Sequence, residues 1–182
     1  MFVQTEQTPN PNALKFLPGK TVSEVGPIEF TNKTQTQNKL IIDLLTIEGI
    51  NMIFLGSNFI TIVKDAEQIW ENLKNEIIAL INDYYLKGKN SIIEKNYLKK
   101  EDKKEINDEV VKKIHEILEN NIRPAVARDG GDIKFESYKN GIVTVQLQGS
   151  CSGCPSSMMT LKQGVQNMLS HYVPEVKKVE AK

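Results

Sequence analysis

Gly149-Ser150-Cys151-Ser152-Gly153-Cys154-Pro155-Ser156-Ser157 holds both cysteines of this 182-residue chain. Upstream of it Val143, Val145 and Leu147 alternate with Thr144, Gln146 and Gln148, the period-two pattern of a half-buried strand. Downstream, Met158, Leu161, Val165 and Met168 recur at three- and four-residue steps, the pattern of one apolar helical face. The thiols therefore belong where a strand ends and a helix begins. The first N–H groups of a helix lack intrahelical partners, and the positive end of the dipole faces whatever precedes it. A thiolate there is stabilised, which favours metal ligation or nucleophilic attack. Pro155 suits the first helical position, where its missing N–H costs nothing. Gly149 and Gly153 let the backbone turn tightly and approach a bound group.

The residues alone leave three uses for the pair. Iron–sulfur cubanes take four cysteine thiolates, and structural zinc takes four ligands. One chain has two, so two chains share a centre, or the pair is a redox couple, or the thiols only pack. Two cysteines in one close pair do not make a secreted disulfide framework and suit a reducing compartment.

Around this stretch the chain reads as α+β, two small domains joined by a charged linker: residues 1–86, 87–106 and 107–182. In the first, Ala13–Leu17 and Ile28–Phe30 read as strands and Leu40–Ile47 as a helix. Gly56-Ser57-Asn58 joins two β-rich runs, residues 51–55 and 59–64, into a hairpin. Asp65 is expected to cap a long amphipathic helix whose apolar face runs from Ile69 and Trp70 to Tyr84. Trp70 reads as a packing anchor. Residues 87–106 are dense in charge and read as a solvated linker, in which Ile92, Ile93, Tyr97 and Leu98 could form a short docking turn.

The second domain opens with a helix capped by Asn107 or Asp108, its stripe traced by Val110, Val111, Ile114, Ile117, Leu118 and Ile122. Pro124 should kink or end it. Arg128-Asp129-Gly130-Gly131-Asp132 reads as the closing turn, and Asn140-Gly141 as a hairpin turn leading to the cysteine strand. Val173, Val176 and Val179 suggest a last edge strand. The only arginines are Arg123 and Arg128, read as structural salt-bridging residues; Asp129 and Asp132 are read as stabilising the turn. His115 lies on a helix flank. His171 caps the end of the helix that follows the cysteines, some 25 Å from them at about 1.5 Å per residue.

Acidic and basic residues balance at 23 each, so there is no basic field for nucleic acid. No apolar run approaches the ~18 residues of a membrane span. Residues 1–7 lack the features of a secretory signal. A bacterial cytoplasm is expected, or a mitochondrial matrix after removal of a transit peptide.

Cys151-Ser152-Gly153-Cys154-Pro155-Ser156-Ser157, continuing through Thr160-Leu161-Lys162 and Gly164, resembles the C-terminal NifU-type domain of Nfu iron–sulfur carrier proteins. Arg123-Pro124 with Asp129-Gly130-Gly131-Asp132 is similar to that domain's second signature. Thr8-Pro9-Asn10-Pro11-Asn12-Ala13-Leu14-Lys15-Phe16 and Gly56–Lys64 resemble the family's N-terminal domain. The resemblance implies a non-enzymatic scaffold or carrier that holds a 4Fe–4S cluster between the subunits of a homodimer. Cys151 and Cys154 of each chain would be its ligands, the assembly machinery its donor and apo iron–sulfur proteins its clients. A thiol–disulfide oxidoreductase and a zinc-bridged interaction module are the competing readings.

Overall fold

The structure is a computed structural model that describes residues 2–97, 108–152 and 155–182, with the side chains of residues 155–158 outside the description. The chain divides into two compact units, Met1–Lys99 and Lys100–Lys182. Both mix helices with an antiparallel-rich sheet, as the α+β reading expects.

The first unit is a five-stranded sheet in the order β1-β2-β5-β4-β3. Its strands are β1 (Gln4–Gln7), β2 (Ala13–Leu17), β3 (Ile28–Phe30), β4 (Ile50–Leu55) and β5 (Ile60–Lys64). All of its pairings are antiparallel. Strand β1 carries no apolar alternation, and only its pairing with β2 reveals it. Two helices, α1 (Lys39–Leu44) and α2 (Trp70–Leu86), complete the unit. One core gathers Leu14 and Phe16 of β2, Ile53 and Leu55 of β4, and Ile60 and Ile62 of β5. Leu40, Ile41 and Leu44 of α1 join them, with Leu73, Ile77 and Ile81 of α2. Each such side chain contributes roughly 1.5–3 kcal/mol when fully buried. Trp70 is the expected anchor: its ring meets Phe16 edge-on at 6.4 Å and its Nε1–H donates to the Pro11 carbonyl.

One expectation changes here. Asp65 does not cap α2. The helix begins five residues later behind Ile69, which makes no side-chain cap, and Asp65 accepts a hydrogen bond from Asn51 Nδ2 instead. The intervening residues close a turn in which Gln68 N–H donates to the Asp65 carbonyl, so the carboxylate is used before the helix starts. The docking turn read within the charged stretch is present. Ile92 and Ile93 are buried in the first core, and both backbone N–H groups donate to the Val22 carbonyl. Tyr97 lies edge-on to Phe30; Leu98 falls outside the described residues.

The second unit begins with α3 (Glu109–Ile117), capped by Asp108, whose carboxylate accepts from the N–H groups of Val110 and Val111. A wide turn, Leu118–Ile122, then leads into α4 (Arg123–Arg128). Pro124 explains the change of geometry. Its ring clashes with the carbonyl four residues back and it offers no N–H, so a regular helix cannot pass through it. The widened turn, in which Arg123 N–H reaches back five residues to the Leu118 carbonyl, lets the helix restart with proline in its first turn.

Strands β6 (Gly131–Lys139) and β7 (Ile142–Gly149) form the expected hairpin. Asn140 and Gly141 both have positive φ, 52° and 81°, as the tight turn demands. After α5 (Pro155–Tyr172), β8 (Lys178–Ala181) pairs parallel to β7. The last strand is thus shorter than the valine spacing suggests. Val179 lies within it, while Val173 and Val176 are buried in the connection before it. The inward set of β7 is the one read from the alternation: Val143, Val145 and Leu147, packed with Ile114, Leu118, Ile122, Val126, Val165 and Leu169.

Candidate functional site

Strand β7 ends at Gly149, and its partner β6 begins at Gly131; the two glycines face each other in the ladder. Gly149 has φ +68°, a conformation that turns the chain out of the strand at little cost only without a Cβ. The turn folds Cys151 back over the start of β6. A Cβ at Gly131 would stand 2.7 Å from Cys151 Sγ and 2.7 Å from the Gln148 carbonyl oxygen. No side chain fits there, so Gly131 is what allows the sulfur to lie against the sheet. Cys151 is buried with the core of the second unit.

The loop is clipped from both sides. Ser150 N–H donates to the Gly130 carbonyl at 3.2 Å, and Ser150 Oγ donates to the Asp129 carbonyl. The same hydroxyl lies 3.8 Å from Cys151 Sγ. Ser152 closes a turn on Gly149, with N–H and Oγ both donating to its carbonyl at 3.1 and 2.8 Å. The Asp129-Gly130 turn thus meets the cysteine loop through backbone groups, and Gly130, at φ +82°, makes that turn possible.

Beneath this turn sits an ion pair. Arg123 donates from Nε and one terminal nitrogen to the two carboxylate oxygens of Asp132, both at 2.8 Å, and from the other nitrogen to Glu119 at 2.6 Å. The Asp132 side chain is only 8% exposed, so the fork-to-fork geometry answers both oxygens in a poorly hydrated place. The hydrogen bonds to Asp132 chiefly hold the guanidinium in its charged form, well above the ordinary arginine range, against the opposing effect of burial. Arg123 is therefore the salt-bridging residue expected from the sequence. Its partner ties the first residues of β6, including Gly131, to the start of α4.

Cys154 and Gly153 fall outside the described residues. Helix α5 does begin at Pro155, the first helical position read for it. His171 lies in the last turn of α5 against Tyr172, and His115 lies on α3 with its ring 4.5 Å from that of Phe135; neither adjoins the cysteine in sequence. Among the described residues no group of three or more His, Cys, Asp or Glu side chains is arranged to hold a metal ion. Among them too, no helix is long and apolar enough to cross a membrane. The sequence alone assigns Gly131 to the closing turn, where the structure gives positive φ only to Gly130, and it gives Ser150 no role of its own. The signal available was the run Gly130-Gly131 ahead of a strand, which a turn explains equally well.

Two family models match the chain in tandem: "Scaffold protein Nfu/NifU N terminal" over residues 3–88 and "NifU-like domain" over residues 114–180. The chain is 45% identical over 182 residues to the human protein named NFU1 iron-sulfur cluster scaffold homolog, mitochondrial. That alignment takes in 99% of this chain and 71% of the relative. It is 44% identical to NifU-like protein 4, mitochondrial, of Arabidopsis thaliana, over 99% of this chain and 65% of that protein. A solution structure of a NifU-like protein from Saccharomyces cerevisiae overlaps 53% of this chain and 87% of its own, at 31% identity and a TM-score of 0.47. The chain thus spans about two thirds of the length of these curated relatives. With both domain models in order and 45% identity to a curated member along almost its whole length, the chain belongs to the Nfu/NifU family.

Proposed function

We propose that this protein is an iron–sulfur cluster scaffold that carries a 4Fe–4S cluster between two copies of itself and hands it to apo-proteins. Cys151 and Cys154 of each copy supply the four thiolates that a cubane takes. The observation that carries the reading is the close approach of Cys151 Sγ to Gly131. The glycine leaves room for the sulfur, and the loop that carries it is held by backbone and serine hydrogen bonds, as the set position of a ligand requires. Curated relatives such as the human protein carry the words iron-sulfur cluster scaffold in their names, which supports the same cargo here. They are also named as mitochondrial, which favours the matrix over a bacterial cytoplasm.

Chemically, the chain's part is to hold and release. Two thiolates per copy bind a cluster that neither copy encloses, so an incoming cysteine thiolate can replace one of them at iron without unfolding the carrier. Ser150 and Ser152 keep the loop shaped while this exchange proceeds, through hydrogen bonds to the Asp129 and Gly149 carbonyls. No bond of the cargo need be made or broken by the protein beyond these ligand exchanges, which is carrier chemistry and not catalysis.

The test is anaerobic reconstitution of the full chain with iron and sulfide. The expected product is a brown dimer holding one 4Fe–4S cluster per two chains, able to activate an apo-enzyme. Cys151→Ala and Cys154→Ala should each lose the cluster while the first unit stays folded. Uptake of stoichiometric zinc in preference to iron, or a cluster kept by either variant, overturns the reading.

A further inference from the structure

Helix α5 leaves the cysteine loop with an outward face unlike that of the other long helix. On α2 the exposed positions include Glu71, Glu76 and Asp83, the charged face normal for a helix against water. Among the described residues of α5, the exposed positions ahead of the last turn are Met159, Thr160, Gln163, Gly164 and Asn167, and none carries a charge. In a chain of which 25% is charged, a charge-free solvent face calls for a cause. The helix's one lysine, Lys162, is half-buried on its flank. There it assists Lys178, the stronger influence, in holding the Glu180 carboxyl below its usual range. Met159 is 76% exposed, one turn after the cysteine loop.

Gly164 sharpens the point. Glycine is the worst ordinary residue for a helix interior, and Gly164 stands in the middle of an 18-residue helix. Gly131 is glycine because a Cβ would strike Cys151; a Cβ at Gly164 would meet nothing within 4 Å. Nothing inside the described molecule asks for glycine there. Close approach of another molecule's backbone does, and charge depletion with exposed methionine is the composition of an interface centre.

We infer that the outer face of α5, centred on Gly164 and flanked by Met159, Thr160 and Asn167, is the surface on which a second copy of this chain packs when two copies share a cluster. The occupant follows from the thiol count: two cysteines per chain bring the second copy to the N-terminal end of this very helix. The inference rests on the carrier reading and assigns its dimer contact, with Gln163 and Asn167, hydrogen-bonded to each other at 2.8 Å, as the polar part of the patch.

The test uses Gly164→Ala and Gly164→Leu in the full chain. Before cluster loading, Gly164→Ala should raise the melting temperature of the second unit by about 4–8 °C, as a relieved helix-interior glycine does in a small domain. After loading, sedimentation velocity should find its dimer weakened at least about tenfold, the effect of one overpacked contact. Gly164→Leu should lose the dimer and shed its cluster. Either variant forming a cluster-loaded dimer of wild-type affinity overturns the interface and leaves the carrier reading intact. A wild-type chain that takes up no cluster overturns the carrier reading and takes this inference with it.

Discussion

The two units solve the same packing problem with different residues. In the first, strands β2, β4 and β5 send Phe16, Ile53 and Ile62 into a core closed by α1 and α2, and its glycines serve turns. In the second, the β6–β7 hairpin sends Val143, Val145 and Leu147 inward in the same way. Its sheet, however, ends on two facing glycines and a buried thiol. In the first unit Gly56, just past β4, leaves room for the Phe59 ring, a packing group; at Gly131 the group given room is a thiol. Where a side chain is left out so that a sulfur can occupy its place, the local structure serves the sulfur. On the proposed reading, stability and chemistry are separated along the chain, and each can be perturbed alone.

The sharpest way to break that separation is a cavity in the first unit. Phe16 is fully buried and packs on Trp70. Phe16→Ala should cost about 3–5 kcal/mol. Trp70 is the sole tryptophan, so its fluorescence reports the first unit alone. The expected outcome is an early loss of the Trp70 signal with cluster uptake retained; uptake lost in parallel would show that the two roles are not divided this way.

Next in size is the ion pair under the cysteine loop. Asp132→Ala leaves the Arg123 guanidinium with Glu119 alone. Buried pairs cost 3–5 kcal/mol to break, but the Arg123 side chain is 28% exposed, so water recovers part of this and about 2 kcal/mol is expected. Denaturant unfolding of the second unit measures it, and Asp132→Asn, which keeps one acceptor oxygen, should cost less.

Gly131→Ala should cost a similar amount, about 1–3 kcal/mol for an overpacked contact, with a larger effect on the site. The added methyl displaces Cys151 Sγ from its buried position. In a Cys154→Ser background the remaining thiol should then alkylate faster than in that background alone, and cluster uptake by the single Gly131→Ala variant should fall. Unchanged thiol reactivity would mean the sulfur does not depend on that glycine.

The smallest effect is one of pH. Burial against Phe135 lowers the His115 pKa below its usual 6.5, with Glu119 opposing weakly. The folded state therefore binds fewer protons than the unfolded state below that value. Stability is full above about pH 6.5 and falls as the pH drops through the lowered folded pKa. His115→Phe should flatten this part of the stability profile of the second unit, and an identical profile in the variant would remove His115 from the account.

Much of this was legible in the residues because it depends on local rules. Asn140-Gly141 announced its hairpin, since few residues accept positive φ twice in succession. Asn107 or Asp108 announced its helix, Pro155 announced the start of α5, and alternation named the inward side of β7. Asp65 misled because a cap motif only offers a carboxylate, and Asn51, brought alongside by the β4–β5 pairing, took it. Strand β1 was invisible because Gln4, Thr5, Glu6 and Gln7 have no apolar period, and an edge strand is held by its neighbour's backbone. Ile92 and Ile93 looked like islands in a linker until the Val22 carbonyl supplied their partner.

By itself the sequence determined that this chain has two thiols at a strand-to-helix junction and hence half the sulfur a cubane takes, because counting ligands needs no coordinates. Only the tertiary structure decided why Gly131 must be glycine and what Arg123 holds. Both answers depend on segments roughly ten to twenty residues apart meeting side by side, and pairing at that distance is set by the closing of the sheet and core, which no local pattern encodes.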